Sequence, residues 1–267
     1  MKGILEVVCV FLFASLLSCS TDDNSIVSDD PSSVRVEDIP TKNLKSSSSM
    51  EKSSSSVSIF NDVISYGNLV DERDGKSYKT VLIGEQLWMA ENLNYGDSAS
   101  TPELEGHVWC GGGDSLENDC GIYGRLYTWS AGAELCPEGW TLPSMDDFRI
   151  LAQNFGGLTF AGDPLKSEAG AWSKKGGSNI SGFSALPAGY RHHEGEILEI
   201  HNKGVFMTNS VGFRDDPMDH ERLWADMDVF IVTDVLLNAE FGRLKYSEGT
   251  SIRCIKTTDG ESEEDSE

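Results

Sequence analysis

YGRLYTWSAGAELCPEGWTLPSMDDF, residues 123–148, decides the fold because it predicts two short helices on either side of a cysteine. Ser144 is expected to begin the second helix, since its side chain can cap free backbone amides and Asp147 stands at the capping-box position. Small and apolar residues at helical spacing predict the first helix, which ends near Cys136 and Pro137: Tyr123, Leu126, Tyr127, Ser130 and Ala131.

The second helix is expected to end at Gly156 and Gly157, because glycine readily adopts the left-handed conformation that closes a helix. Asp146 and Asp147 lie in its first turn, where a negative charge is favoured by the helix dipole. The side chains predicted to form its buried stripe recur at helical spacing: Phe148, Leu151, Ala152 and Phe155.

Strand patterns lie on both sides of these helices. Upstream, YKTVLIGEQLWM (78–89) alternates apolar and polar residues and predicts a β-hairpin that turns at Gly84 and Glu85. Downstream, four stretches predict further strands: FSALPAGYR (183–191), GVFMTNS (204–210), LWADMDVFIV (223–232) and TSIRCIK (250–256). Helices followed by strands predict an α+β domain, which we place at residues 58–256.

The N-terminus has the pattern of a bacterial lipoprotein leader. Residues 1–18 contain an apolar run that is too short to span a bilayer and fits a secretory signal peptide. Cys19 follows Leu16, Leu17 and Ser18, which predicts that Cys19 becomes the acylated N-terminus and anchors the chain to the outer membrane. The alternatives are an ordinary signal peptide that contains a cysteine, or a buried strand.

Two stretches outside the domain are predicted to stay without structure. Residues 19–57 are rich in Ser and Asp and offer little apolar area to bury, so we interpret them as a flexible tether. Residues 257–267 form an acidic tail. The formal net charge of −23 disfavours nucleic acid as a partner, because the chain repels a phosphate backbone.

Four cysteines fall in the predicted domain, and an even number in an exported protein indicates disulfides. Four cysteines allow three pairings. Cys110 and Cys120 flank the glycine-rich loop CGGGDSLENDC, which a short bridge would close, and Cys136 and Cys254 then remain for a long one. No CxxC motif and no zinc-type His/Cys spacing is present in the sequence, so we predict no metal site.

Five blocks of sequence together resemble the Fibrobacter succinogenes major paralogous domain, a family of secreted bacterial modules. In order they are DERDGKSYKTVLIGEQLWMAENLNY (71–95), YGRLYTWSAGAELCPEGWTLPSMDDF (123–148), LKS (165–167), GFSALPAGYR (182–191) and SIRCIK (251–256). The resemblance implies a C-type-lectin-like fold, in which two short helices pack on small antiparallel sheets. In that fold a cysteine near the first helix pairs with one in the last strand, as Cys136 and Cys254 would here.

The tryptophans divide into two groups. Those within the family blocks lie among glycines and apolar residues and are predicted to build the core: Trp88, Trp129 and Trp140. Those in the variable stretches are the candidates for ligand binding, because exposed aromatic rings stack on sugar rings: Trp109, Trp172 and Trp224. The chain lacks the Glu-Pro-Asn, Gln-Pro-Asp and Trp-Asn-Asp triplets of calcium-dependent lectins, so lectin-type sugar binding is not expected.

Two clusters of polar residues have both a functional and a structural interpretation. An acidic stretch could hold calcium, although we favour a solvated loop: Asp215, Asp216, Asp219, Glu221, Asp226 and Asp228. The stretch RHHEGEILEIH could form a metal or acid–base site, although we favour the exposed tip of a hairpin: His192, His193, His201, Glu194, Glu196 and Glu199.

The sequence therefore predicts a lipid-anchored, non-catalytic binding or adhesion module, with plant-fibre polysaccharide as the candidate ligand and no cofactor. The first alternative is a structural envelope lipoprotein with a protein partner. The second is an enzyme related to the sulfatase-modifying group, which uses a cysteine pair. No nucleophile–base motif and no phosphate-binding loop is found in the sequence, which favours a module without catalysis.

Overall fold

A computed structural model describes residues 58–112, 119–168, 172–215, 223–235 and 237–257. The predicted signal peptide, Cys19 and the tether lie outside the described residues, as do residues 258–267 of the predicted tail. No helix within the described ranges is long and apolar enough to span a membrane.

The described residues form an α+β fold in which strands outnumber helices. The helices are α1 (Asp119–Tyr123), α2 (Trp129–Gly132), α3 (Met145–Gln153) and α4 (Gly162–Leu165). The strands are β1 (Gly67–Val70), β2 (Ser77–Ile83), β3 (Gln86–Met89), β4 (Val108–Cys110), β5 (Arg125–Tyr127), β6 (Tyr190–Arg191), β7 (Ile197–Leu198), β8 (Lys203–Asp215), β9 (Leu223–Thr233), β10 (Ala239–Lys245), β11 (Thr250–Ser251) and β12 (Ile255–Thr257).

The strands make three sheets. A four-stranded sheet has the order β1-β2-β3-β12, a six-stranded sheet has the order β10-β9-β8-β11-β5-β4, and β6 pairs with β7. Neighbouring strands are antiparallel, apart from β11, which runs parallel to β8. The predicted hairpin is confirmed, since β2 and β3 pair around a turn in which Gly84 has a φ of +61°. The last strand, β12, closes this sheet against β3.

The single first helix predicted over residues 123–136 is wrong, because β5 interrupts it. Gly124 ends α1 with a φ of +71°, and a Cβ atom there would lie 2.7 Å from the Cβ atom of Asn92. The next three residues pair with β4, and the last two of them, Leu126 and Tyr127, also pair with β11. Pairing on two sides outweighs the helical spacing of the side chains, and only Trp129–Gly132 return to a helix.

The second helix is confirmed as α3. The Ser144 side chain accepts a hydrogen bond from the amide of Asp147 at 3.1 Å, and the Ser144 amide donates to the Asp147 carboxylate at 2.7 Å. This reciprocal pair is the capping box that the sequence predicts. At the other end the Gly157 amide donates to the carbonyl of Ala152 at 2.9 Å, and Gly157 is left-handed with a φ of +81°.

The strand predicted over residues 183–191 is wrong over most of its length, since only Tyr190 and Arg191 belong to a strand, β6. The backbone carbonyls of Phe183 and Ser184 accept hydrogen bonds from the guanidinium of Arg253 rather than from a neighbouring strand. The strand β10 was not predicted, and β8 and β9 extend into the stretch predicted as a solvated acidic loop.

Arg253 is fully buried at the centre of the fold, two residues before β12. Its Nε donates to the Asn92 side-chain oxygen at 2.6 Å, and its other donors reach the carbonyls of Met89, Phe183 and Ser184. Burial lowers the pKa of Arg253 to about 9, so the guanidinium stays charged at neutral pH. Aromatic core side chains surround this centre: Trp88, Phe148, Phe183, Phe206 and Phe230.

Both disulfides expected from the sequence are present. Cys136 and Cys254 are bonded with their Cα atoms 5.8 Å apart, which joins the segment after α2 to the residue that follows Arg253. Cys110 and Cys120 are bonded with their Cα atoms 4.6 Å apart, which joins the end of β4 to α1. The long bridge therefore holds the centre of the fold and the short bridge holds its edge.

Candidate functional site

The turn between β10 and β11, residues 246–249, brings polar and aromatic side chains together at one surface. The backbone of the turn is closed by a hydrogen bond from the Glu248 amide to the Lys245 carbonyl at 2.9 Å. The Lys245 amide donates in return to the Glu248 carboxylate, also at 2.9 Å. Because this turn is fixed at both ends by strands, Tyr246 and Glu248 are held in defined positions.

On one side of the turn Tyr246 meets Trp129, the first residue of α2. Their ring centroids are 5.1 Å apart with the planes tilted by 40°. The indole nitrogen of Trp129 donates to the carbonyl of Thr208 at 3.2 Å, which fixes the orientation of the ring. Both side chains are half-buried, so each keeps part of its surface for contact with a ligand.

These two rings line a depression of about 550 Å³, which we name the aromatic groove. Its remaining lining is small or polar and includes two carboxylates: Thr101, Glu103, Ser130, Ala131, Ala133, Glu134 and Leu135. A second depression of about 410 Å³ shares Glu103 and Ser130 with it and continues toward His107. Together they make a continuous surface with aromatic rings and hydrogen-bonding groups.

On the other side of the turn, Glu248 meets the hairpin of β6 and β7. His193 Nδ1 lies 3.2 Å from Glu248 Oε1, and His192 Nε2 lies 3.5 Å from the same oxygen. The two imidazole rings have centroids 3.9 Å apart. We name these three residues the histidine–glutamate cluster. The hairpin itself is confirmed, with the His192 amide donating to the carbonyl of Glu196 at 2.7 Å.

Two charged side chains complete the surroundings of the histidine–glutamate cluster. Lys245 Nζ lies 3.0 Å from Nε2 of His193, on the ring atom that faces away from Glu248. Glu194 Oε2 lies 3.5 Å from Nδ1 of His192, which is likewise the ring atom away from Glu248. Each imidazole is therefore held at both nitrogens, and the two inner nitrogens converge on one carboxylate oxygen.

The tryptophans proposed as sugar platforms are not equivalent. Trp172 is buried and its indole nitrogen donates to Ser167 Oγ at 3.1 Å, so the prediction of an exposed ring there is wrong. Trp109 is half-buried, with the Arg191 guanidinium 3.8 Å above its ring. A Cβ atom on Gly249 would lie 3.2 Å from the same ring. Trp224 belongs to β9, and its side chain lies outside the described residues.

The tryptophans predicted to form the core also differ from one another. Trp88 is fully buried and packs against Phe148, which confirms that prediction. Trp129 and Trp140 are half-buried and pack against a core cluster from its edge. Trp129 thus supports the core with one side and lines the aromatic groove with the other, a double role that its sequence context did not indicate.

The structure places only some residues of the two polar stretches that the sequence singled out as candidate sites. Asp226 and Asp228 lie in β9, where Asp228 accepts a hydrogen bond from Arg243 at 3.0 Å. The side chains of the other acidic residues lie outside the described residues: Asp215, Asp216, Asp219 and Glu221. His201 does not join His192 and His193, since its Nδ1 lies 3.1 Å from the hydroxyl of Tyr123.

Sequence reasoning missed several residues of this surface, among them Tyr246, Glu248 and Glu103. Tyr246 and Glu248 lie in a short turn with no motif around them, and Glu103 lies in the 3₁₀ turn Pro102–Leu104. Glu248 is 55 residues from His193 in the chain. A clue was present in Gly249, because a glycine directly after a tight turn indicates a close approach of another group, here Trp109.

A family model described as the Fibrobacter succinogenes major domain matches residues 81–256. The match begins within β2 and ends within β12, so it leaves out β1 and covers the rest of the sheets, the two disulfides and the aromatic groove. The histidine–glutamate cluster also lies within it. No curated protein and no solved structure matches the chain.

Proposed function

Because the chain belongs to the Fibrobacter succinogenes major domain family, we propose that it is a non-catalytic binding or adhesion module whose ligand is a polysaccharide of plant fibre. The aromatic groove is the observation that carries this proposal. Sugar rings stack on the faces of Trp and Tyr, and their hydroxyls bond to carboxylates and hydroxyls. Trp129 and Tyr246 supply the rings, and Glu103 and Glu134 supply the acceptors.

The length of the surface fits a chain-like ligand. The aromatic groove and the depression beside it share Glu103 and Ser130, so successive units of a linear glycan can occupy them in turn. The groove needs no calcium in this scheme, which agrees with the missing sugar-binding triplets of calcium-dependent lectins. A C-type-lectin-like topology is part of the proposal. Its support is the disulfide from the segment after α2 to the residue before β12.

A lack of catalysis is also proposed rather than observed. The sulfatase-modifying alternative needs a pair of cysteine thiols, and all four cysteines of the domain are engaged in disulfides. The chain would act at the cell surface, held by a lipid on Cys19 and lifted by residues 19–57, which reach about 35 Å if fully flexible. Loss of detergent-phase partitioning in a Cys19→Ala variant tests the anchor.

Retention on insoluble glycans tests the binding function. Residues 20–267, which lack the lipid cysteine, are incubated with cellulose and xylan, and the bound fraction is measured against starch. Tyr246→Ala removes one ring of the groove and is expected to reduce retention severalfold, up to about tenfold, because one stacked aromatic contributes roughly 0.5–1.5 kcal/mol. Tyr246→Phe keeps the ring and is expected to retain most of the binding.

Phe160→Ala is the matched control, since this aromatic side chain is exposed but lies outside the groove. It should leave retention unchanged. Equal losses in Phe160→Ala and Tyr246→Ala would show general adsorption of exposed rings to the solid. Retention on no glycan would remove the polysaccharide proposal and favour a protein partner.

A protein partner is the second candidate function, and a different surface favours it. Leu158, Val235 and Leu237 line an open depression of about 540 Å³ between α3 and β10. Val235 and Leu237 are more than half exposed. Adjacent exposed apolar side chains are typical of protein contacts. Leu237→Glu should abolish such a contact and leave glycan retention unchanged, which separates the two functions in one variant.

A further inference from the structure

We infer that the histidine–glutamate cluster, His192, His193 and Glu248, is a binding site for a divalent transition-metal ion of the zinc type. One ligand atom from each residue lies within 4.8 Å of the others. Two imidazoles and one carboxylate are the donor set of three-ligand zinc sites, which keep a further position open. This inference is independent of the polysaccharide proposal, because the cluster and the aromatic groove have no lining residue in common.

The two distances from Glu248 to the histidine nitrogens match the ligand separations around a tetrahedral metal ion. Metal–ligand bonds of 2.0–2.1 Å at a tetrahedral angle place two ligand atoms about 3.3 Å apart. Glu248 Oε1 lies 3.2 Å from His193 Nδ1 and 3.5 Å from His192 Nε2. Both separations agree with that value. The three ligand atoms as a set lie within 4.8 Å of one another, so the two rings must also rotate to bring their inner nitrogens to about 3.3 Å from each other.

Burial and charge also favour a cation. The Glu248 side chain is 7% exposed, whereas the His192 and His193 side chains are 24% and 31% exposed. The carboxylate is therefore fixed on the inner side, and the imidazoles leave a path from solvent. Glu248 Oε2 is occupied by the Lys245 amide, which holds the carboxylate so that Oε1 faces the two rings.

The outer nitrogens of the rings differ in what they contribute. A metal-bound imidazole usually donates its other N–H to a carboxylate, and Glu194 Oε2 lies 3.5 Å from the outer nitrogen of His192. The Glu194 amide also donates to that nitrogen at 3.4 Å, so metal binding through Nε2 requires this amide contact to give way to the carboxylate. His193 has the opposite neighbour, because the ammonium of Lys245 lies 3.0 Å from its outer nitrogen. That ammonium donates to Nε2, which keeps the proton on Nδ1, where the metal would bind. Lys245 therefore opposes metal binding and must turn away.

Because Lys245 opposes metal binding, some substitutions should weaken zinc binding and one should strengthen it. The full chain is purified in detergent without a polyhistidine tag, stripped of metal and titrated with Zn²⁺ in a calorimeter. We expect one zinc per chain. His193→Gln and Glu248→Gln should each weaken that binding at least about tenfold, as loss of a ligand does. Lys245→Met should strengthen it severalfold, because the competing charge is removed.

Matched controls exist for the histidine variant and for the lysine variant. His107→Gln removes a histidine outside the cluster, and Lys256→Met removes a lysine of β12 in the other sheet, so both should leave zinc affinity unchanged. Co²⁺ in place of Zn²⁺ should absorb strongly in the visible range, as tetrahedral cobalt does, and Glu248→Gln should abolish that absorption. Because His193 is partly exposed, His193→Gln carries the test even if Glu248→Gln fails to fold.

Three results would overturn the site. One is the absence of saturable zinc binding at one ion per chain. Another is an equal loss of affinity in His107→Gln and His193→Gln, which means that zinc binds histidines without regard to the cluster. The last is weaker binding in Lys245→Met, which contradicts the arrangement around His193. Thermal unfolding of each variant without metal confirms that the folds being compared are intact.

Discussion

Two polar clusters in this molecule differ in how deeply they are buried and in what surrounds them. The cluster around Arg253 is fully buried, and the donors described above go to Asn92 and to three backbone carbonyls. The histidine–glutamate cluster is open to solvent on one side, and its two inner nitrogens converge on one oxygen. The first cluster stabilises the fold, whereas the second presents ligand atoms to a metal ion from solvent.

This difference distinguishes a polar group that stabilises the fold from one that can bind a ligand. A buried cation is tolerated where fixed acceptors replace water, and such a network stabilises one backbone arrangement. Arg253 does this for Phe183 and Ser184, which follow an irregular path through the core. At the outer cluster the acceptor is a single carboxylate, and the backbone is already fixed by strands. The fold of this region therefore needs the cluster much less.

Removing Arg253 should have the largest effect. In Arg253→Met four buried acceptors lose their donor, each at roughly 1–3 kcal/mol, and relief of the buried charge offsets only part. We expect the free energy of unfolding to fall by about 5 kcal/mol or more. Urea unfolding followed by tryptophan fluorescence measures it. Arg253→Lys restores the charge and some donors and should lie in between; a cost below about 1 kcal/mol for Met would break the comparison.

The two disulfides extend the same contrast. The bridge from Cys136 to Cys254 closes a loop of 118 residues beside Arg253, and loss of its loop-closure constraint is expected to cost about 4–5 kcal/mol. The bridge from Cys110 to Cys120 closes 10 residues at the edge and should cost about 2–3 kcal/mol. Paired Cys→Ala variants compared by thermal and urea unfolding give the ranking. A larger loss from the short bridge would show that strain or residual structure outweighs chain entropy.

Much of the central region was predictable because its signals are local. The capping box of Ser144 and Asp147 lies within four residues. The β2–β3 hairpin is predicted by a single stretch in which apolar and polar residues alternate. The prediction of the first helix was wrong because the structure there depends on strand pairing between residues that are far apart in the chain. Its residues keep helical spacing, yet β5 is fixed by β4 and β11, and β11 lies over 100 residues later.

The outer region was predictable only in part. The hairpin that presents His192 and His193 follows from local pattern, but Glu248 comes from another turn of the chain. The same holds for the aromatic groove, where Trp129 and Tyr246 meet through the pairing of distant strands. Trp172 shows the opposite failure: a variable stretch suggested exposure, and Ser167 instead receives its indole N–H inside the core.

Glu248→Gln should have the smallest effect on stability, and it completes the comparison with Arg253. The amide oxygen of glutamine can still accept the Lys245 amide, and what is lost is a partly exposed interaction with two imidazoles, worth up to about 1 kcal/mol. We therefore expect unfolding in urea without metal to shift by no more than that. A loss near that of Arg253→Met would mean that the outer cluster is architectural as well. A small loss together with weakened zinc binding would separate the two clusters by role, because the same substitution would then spare the fold and remove a ligand.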